Sequence, residues 1–211
     1  GVDGVCQRGQ VLPPQHGRRR ERPCVRPQEG KAFELGAKWQ SADQRLNGSV
    51  ALFDIRKTNV LTRSPTNANY NVAAGEVRSR GLEADLAGQI DAHWRMTANL
   101  AYTDAEVVRD NNPTLLGKRL LNVPRMSAGL FAIREDRLAS GGRWGVGGGL
   151  VHVGGRTGTA TDTCRLPAYT TARLTSYWQL DKRTRLTLDV HNLFDKTYYT
   201  ASWGNLTVIP G

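Results

Sequence analysis

The 211-residue sequence predicts an all-β fold, specifically the wall of a transmembrane antiparallel β-barrel. Three observations carry the prediction. Between Trp94 and Tyr102 apolar and polar residues alternate without a break: Trp94, Met96, Ala98, Leu100 and Tyr102 fall on one face, and Arg95, Thr97, Asn99 and Ala101 on the other. The same alternation recurs along most of the chain. The connections between repeats are alternately short and long, as an antiparallel barrel with two chemically different rims requires.

From Lys31 onward the alternation predicts eight strands, over 31–40, 45–58, 77–90, 94–105, 125–135, 143–154, 168–180 and 184–196. In the first, Phe33, Leu35, Ala37 and Trp39 oppose Glu34, Gly36, Lys38 and Gln40. The second switches parity, with Leu46, Val50 and Leu52 on one side but Phe53 and Ile55 on the other, as a bulge or a change of environment would give. In the third, Leu82, Ala84, Leu86 and Ile90 oppose Gly81, Glu83, Asp85 and Gln89. The sixth carries Gly145, Gly147, Gly148 and Gly149 and has the weakest strand signal. In the eighth, Leu186, Leu188 and Val190 oppose Arg185, Thr187, Asp189 and His191.

Connections at 41–44, 91–93, 136–142 and 181–183 are short, whereas 59–76, 106–124, 155–167 and the stretch after 197 are long. A soluble sandwich has no reason to segregate its long loops to one end, but outer-membrane barrels pair short periplasmic turns with long external loops. Polar faces turned to a wet lumen also explain how Glu83, Asp85, Arg95, Asp189 and His191 sit mid-strand. Residues 1–30 are different: Arg- and Pro-rich, without alternation, and assigned no strand.

Composition narrows the class. Mean hydropathy is negative and no apolar run reaches the ~18 residues of a membrane helix, yet a barrel strand needs only every second residue apolar. No signal-peptide pattern is visible. The net charge of +10 includes the run Arg18, Arg19, Arg20 and Arg22, but no nucleic-acid-binding motif accompanies it, so no nucleic-acid partner is expected. Cys6, Cys24 and Cys164 form an odd set without CxxC spacing, which argues against a zinc site and a disulfide framework and leaves a Cys6–Cys24 bridge open. His16, His93, His152 and His191 lack ligand spacing, the glycine cluster lacks the Lys-Ser/Thr of a phosphate loop, and no GxSxG elbow is present. No catalytic residue and no metal site is therefore assigned.

Five segments, in order, resemble the C-terminal barrel half of TonB-dependent outer-membrane receptors, in particular those for ferric siderophores. They are PQEGKAFELGAKW (Pro27 to Trp39), GEVRSRGLEADLAG (Gly75 to Gly88), LLNVPRMSAGLF (Leu120 to Phe131), LPAYTTARLTSYWQL (Leu166 to Leu180) and LTLDVHNLFDKTYY (Leu186 to Tyr199). The resemblance implies about eight C-terminal strands of a 22-strand barrel. It also implies TonB-dependent import of a ferric siderophore across the bacterial outer membrane, driven by TonB, ExbB and ExbD through an N-terminal plug. Outer-membrane lipid would surround the wall, and no cofactor is needed beyond the transported iron chelate. Neither plug nor TonB box is seen in the sequence, nor is a final strand ending in an aromatic residue. Residues 1–30 fit the family poorly, and their Arg/Pro/Cys excess is what an out-of-frame reading of GC-rich coding sequence produces, so the expected barrel segment is 31–211.

An anionic, partly aromatic chelate would be met by loop residues carrying rings or positive charge. The candidates are Tyr70, Arg109, Arg119, Arg165, Tyr199 and Trp203. Each also has a simpler account as a loop or interface residue; Tyr198, Tyr199 and Trp203 suit an aromatic girdle. The rival function is a small passive outer-membrane barrel or channel, since eight strands can close by themselves.

Overall fold

In a computed structural model of the protein, residues 3–7, 26–66, 69, 71–139, 141–202 and 207–211 are described. Thirteen strands are formed among them: β1 (Asp3–Gln7), β2 (Glu29–Gln40), β3 (Leu46–Arg63), β4 (Asn71–Gln89), β5 (Trp94–Arg109), β6 (Met126–Arg137), β7 (Arg143–Val153), β8 (Arg156–Thr157), β9 (Arg165–Leu166), β10 (Tyr169–Gln179), β11 (Arg185–Val190), β12 (Tyr199–Ser202) and β13 (Val208–Pro210). Nine of these make one antiparallel meander in the order β1-β2-β3-β4-β5-β6-β7-β10-β11, and β8-β9 and β12-β13 are separate hairpins. Among the described residues β1 and β11 do not pair, so the wall is open and does not close as a small barrel.

Register sorts the side chains. Residues directly opposite one another share a face. The row Leu35, Leu52, Leu82, Tyr102 and Met126 therefore lies on one surface with the rows Ala37, Val50, Ala84, Leu100 and Gly48, Leu86, Ala98, Leu130, Leu150. Most of their large side chains are exposed, Leu52 at 52% and Leu150 at 50%, on a surface that no other layer covers. Buried apolar side chains are correspondingly few; Ala105, Leu166, Ala172 and Tyr177 are the described ones. An uncovered apolar sheet face of this extent requires hydrocarbon as its solvent.

The parity switch in β3 is a change of environment and not a bulge. Pairing with both neighbours is continuous through Leu52 and Ile55, and the register first shifts between Thr58 and Leu61. Beyond Leu52 the outward positions become Asp54 and Arg56, while Phe53 and Ile55 turn inward. Phe53 covers Gly81, where an added Cβ would come within 2.7 Å of its ring. The strand is leaving the hydrocarbon, so its outward residues no longer need to be apolar. β3, β4 and β5 are 18, 19 and 16 residues long, against the roughly 9–11 a tilted strand needs to cross.

Three expectations are corrected. The loop 59–76 shrinks to 64–70, because β3 and β4 continue pairing above the apolar band. The last predicted strand stops at Val190: Asn192 and Asp195 adopt φ of 48° and 46°, and Asn192 exchanges two hydrogen bonds with the backbone of Lys196, so the ladder ends. Residues 1–30 do contain strand: β1 pairs with β2, Asp3 opposite Lys38 and Gln7 opposite Glu34, and β2 begins at Glu29. Ladder bonds use only backbone groups, so an unpaired edge accepts an extended segment whatever its composition. All eight strands predicted from Lys31 onward are present, as β2 to β7, β10 and β11, and β1 adds a ninth to the wall among the described residues. Cys24 lies outside the described residues, as does the side chain of Cys6.

The glycine-rich segment is a full strand, β7. Gly145, Gly147 and Gly149 face inward, and their side-chain space is taken by Tyr177, Ile133 and Phe131 from the flanking strands. At the short-turn rim, Asp91 accepts from the amides of His93 and Trp94 at 2.7 and 2.8 Å, and Asp181 from those of Arg183 and Thr184 at 2.7 and 2.8 Å. These Asx turns fix the tight hairpins.

Candidate functional site at the long-loop rim

Three long connections interlock above the wall. After β5 the chain makes a short helical turn at Pro113–Leu115, capped by Asn112, and returns beside β5 so that Arg119 stands opposite Glu106. Asn122, at φ 62°, then accepts from the Ser202 amide at 2.9 Å and donates to the Ser202 carbonyl at 3.0 Å. Its own amide donates to Thr157 of β8 at 3.0 Å. The loop after β5 is thus bonded to both rim hairpins.

Arg156 on β8 completes the lock. It is 6% exposed, and it donates from Nη1 to the Thr200 carbonyl at 2.8 Å and from Nη2 to the Tyr199 carbonyl. Its guanidinium lies 5.5 Å from the Tyr169 ring, which stacks on Tyr198 at 4.4 Å. Ser202, fully buried, donates from Oγ to the Gly158 carbonyl. A buried cation is tolerable when hydrogen-bonded, and here two carbonyls and a ring face meet the guanidinium, while its Nε has no hydrogen-bond partner among the described residues. Among the described residues the one fully buried side chain, Ser202, therefore belongs to a polar knot at the rim.

Four of the sequence-predicted ligand residues, Arg109, Arg119, Arg165 and Tyr199, are among the described residues. Arg109 stands opposite Glu76 and donates from Nε to the Ala74 carbonyl at 2.8 Å. Arg119 and Arg165 share a neighbourhood with Asp162. Arg165 is paired with Asp162 at 2.8 Å, which holds that carboxyl below the ordinary range with help from Thr157, and raises the guanidinium in turn. Burial and the nearby Arg125 lower the Arg119 guanidinium, whose Nε is buried without a hydrogen-bond partner among the described residues. Tyr199 is 39% exposed at the rim, its carbonyl held by Arg156. Tyr70 and Trp203 lie outside the described residues.

Sequence reasoning missed Arg156, Asn122, Ser202 and Tyr169. A single arginine, asparagine or serine in a loop carries no periodic signal, and only the fold brings residues 80 positions apart into contact. It also missed a girdle at the opposite rim, where Trp39, Trp94, Trp144 and Trp178 all sit on the outward face close to the short turns, and Trp144 directly opposes Trp178. That signal was available, since each lies within a few residues of a tight connection. No group of His, Cys, Asp and Glu suited to a metal ion occurs among the described residues.

A meander with one lipid-facing surface, tryptophans at the short-turn rim and loops locked together at the other is the wall of an outer-membrane β-barrel. Comparison with known proteins gives the family: residues 21–193 match the TonB dependent receptor-like, beta-barrel family, and the chain belongs to it. The metal-pseudopaline receptor CntO of Pseudomonas aeruginosa is 40% identical over 88% of this chain and 26% of its own length. An uncharacterized TonB-dependent receptor of Haemophilus influenzae is 34% identical over 87% of this chain and 55% of its own. The siderophore receptor PiuA of Acinetobacter baumannii superposes with a TM-score of 0.78 at 26% identity, covering 89% of this chain and 27% of that one. The chain thus spans about a quarter of the length of CntO. Proteins of this family are transport receptors of the outer membrane and not enzymes; they bind siderophores and interact with TonB.

Proposed function

We propose that this chain forms part of the wall and external mouth of a receptor that imports a ferric siderophore, or a closely related metal chelate, across the outer membrane with energy delivered through TonB, ExbB and ExbD. The observation that carries the reading is the 40% identity to a metal-pseudopaline receptor over nearly the whole chain, on a wall whose polar face can line a passage. The wall makes and breaks no bond. Its role is to hold the loops that meet the chelate and to keep the passage wet while lipid stays outside.

Within that reading, the knot around Arg156 supports binding by fixing the Tyr169–Tyr198 stack and the Tyr199 backbone in one arrangement, so little ordering cost remains when a chelate arrives. Arg165 and Tyr199 supply charge and a ring on the loop surface, and Tyr70, Arg109, Arg119 and Trp203 are the further candidates.

The test is uptake of radiolabelled metal chelates by cells that carry the full-length receptor as their sole transporter of this kind, in metal-depleted medium. Accumulation of at least one ferric siderophore or related chelate, abolished by deleting TonB, is expected. Accumulation that survives loss of TonB would replace this reading with a passive channel.

A further inference from the structure

The lumen face carries a row of unmatched positive charge at the short-turn rim. Directly opposed pairing runs from Arg137 on β6 to Arg143 on β7, from Arg143 to Gln179 on β10, and from Gln179 to Arg185 on β11. These positions share the inward parity of Phe131, Gly149 and Arg173. Two residues deeper into the lumen lies the row Glu135, Gly145, Tyr177, Thr187.

Like charges directly opposite one another destabilise a sheet, so Arg137 facing Arg143 calls for a reason. The acids at hand are already engaged. Glu135 accepts from Arg95 and from the Tyr177 hydroxyl, Asp136 is paired with Arg134 at 3.0 Å and with His93, and Asp181 accepts the amides of its own turn. Among the described residues no salt bridge joins Arg137, Arg143 or Arg185, and all three are exposed. Arg185 is aimed by its stack on Tyr177, 3.8 Å from the ring centre, and Tyr177 is itself buried. Two adjoining hollows of about 610 and 660 Å³ open beside these groups and share Arg95, Glu135, Arg143 and Tyr177 in their walls. Arg137 lines the first, Gln179 and Arg185 the second.

We propose that this row is an exit-side binding site for an anionic chelate whose outer atoms are carboxylate oxygens, gripped by Arg137, Arg143 and Arg185 as it leaves the lumen at the periplasmic rim. The inference deepens the import reading above and rests on it. Size and charge agree. Hollows of this volume fall within the roughly 300–1,000 Å³ of small-molecule sites. Guanidinium forks match carboxylates in charge and in hydrogen-bond geometry, and Gln179 sets a neutral donor between two of them. No group of His, Cys, Asp and Glu among the described residues could take the metal, so the site suits an intact chelate. A protein segment would find little to pack on, because Leu180 is the one aliphatic side chain larger than alanine among the described residues lining either hollow. A neutral or cationic chelate would leave the arginines opposed, so carboxylate is the chemistry that uses the row.

The experiment uses the full-length receptor purified in detergent and needs neither TonB nor transport, so it can fail while the import reading stands, and the reverse. The probe is tris(oxalato)chromate(III), an exchange-inert trianion rimmed by carboxylate oxygens. Tris(acetylacetonato)chromium(III), neutral and similar in shape, is the comparison. Binding is read by equilibrium dialysis with chromium analysis and by the thermal shift each complex causes. Wild type is expected to bind the trianion in preference to the neutral complex, and more weakly as salt rises. A double variant Arg137→Gln/Arg143→Gln should lose roughly tenfold or more in affinity, the scale of one or two charge-assisted hydrogen bonds. Arg183→Gln removes a cation from the same rim whose side chain lines neither hollow, and should leave binding unchanged. Without the probe the double variant should be at least as stable as wild type, because the opposed cations are gone; this separates a lost site from misfolding. Equal trianion binding by wild type and the double variant overturns the proposal, as does equal affinity for the neutral complex. Absence of trianion binding by wild type overturns it too, and a double variant that is then also less stable would assign the row to a protein segment packed against it.

Discussion

The ring of Phe131 on β6 occupies the side-chain space of Gly149 on β7: a Cβ added to that glycine would lie 2.8 Å from the ring's Cδ2. The guanidinium of Arg173 stacks on the same ring from the other side of β7, 4.4 Å from its centre. Tyr177 lies over Gly145 in the same way, with Arg185 stacked on it at 3.8 Å. The glycines of β7 are thus a groove on the lumen face, filled by side chains from both neighbouring strands.

That packing separates the glycines of one strand by face. Gly145→Ala and Gly149→Ala should each destabilise the full-length receptor by about 1–3 kcal/mol, the usual cost of overpacking. Gly148→Ala should be nearly neutral, because its outward Cβ would meet only the Arg173 carbonyl at 3.3 Å. Denaturation of each variant in detergent micelles, followed by tryptophan fluorescence, checks the order. Equal effects at all three positions would contradict the assigned faces.

Lipid exposure gives a second prediction. Leu130 lies in the middle of the apolar band, between Ala98 and Leu150. Leu130→Arg should cost about 2–4 kcal/mol in a bilayer, as an arginine near the midplane of a barrel's lipid face does, whereas Thr97→Arg on the wet face should cost little. Refolding equilibria in lipid vesicles measure both. A small effect for Leu130→Arg would mean that this face is covered by protein.

The rim knot predicts coupled loosening. Arg156→Ala removes the donors to the Tyr199 and Thr200 carbonyls, and Asn122→Ala removes both bonds to Ser202. Each buried group left unpaired costs about 1–3 kcal/mol. Hydrogen exchange should rise in residues 156–166 and 199–202 together in either variant, with the wall strands β4 to β6 unchanged. Faster exchange confined to the mutated loop would show that the hairpins are not joined through these residues.

The short turns carry a pH dependence. Two backbone amides hold the Asp91 carboxylate below its ordinary value of 3.8, and Asp181 is held in the same way. A carboxylate with a depressed pKa in the folded state contributes its full stabilisation above the ordinary value and loses it as pH falls through the depressed one. Exchange at the His93 and Trp94 amides should therefore be constant relative to the pH-driven chemical rate above about pH 4 and accelerate below it. Asp91→Asn keeps an acceptor oxygen without a titrating proton and should flatten that change. An unaltered profile in Asp91→Asn would assign the transition to another group.

Much of the wall was legible because the information is local. Alternation from Trp94 to Tyr102 is enforced by a two-residue period, and a strand between hydrocarbon and water cannot violate it without exposing charge to lipid. The tight turns were legible for the same reason: Asp91 and Asp181 each act on amides two and three residues away. Where two environments met on one strand, as at Phe53 and Ile55, the pattern showed the change but not its cause. Strand ends were misplaced wherever pairing continued beyond the membrane, because above the band neither face is obliged to be apolar.

The sequence by itself determined that this protein is a barrel wall, which face meets lipid and which rim carries the long loops, since each follows from side-chain polarity at fixed spacing along one strand. Only the tertiary structure decided that Arg156 and Asn122 tie Ser202 and Tyr199 into the rim, that Phe131 fills the room left by Gly149, and that Arg137, Arg143 and Arg185 share one inward row. Those relations depend on register between segments distant in the chain. Register is set by the pairing of whole strands, so no single segment contains it.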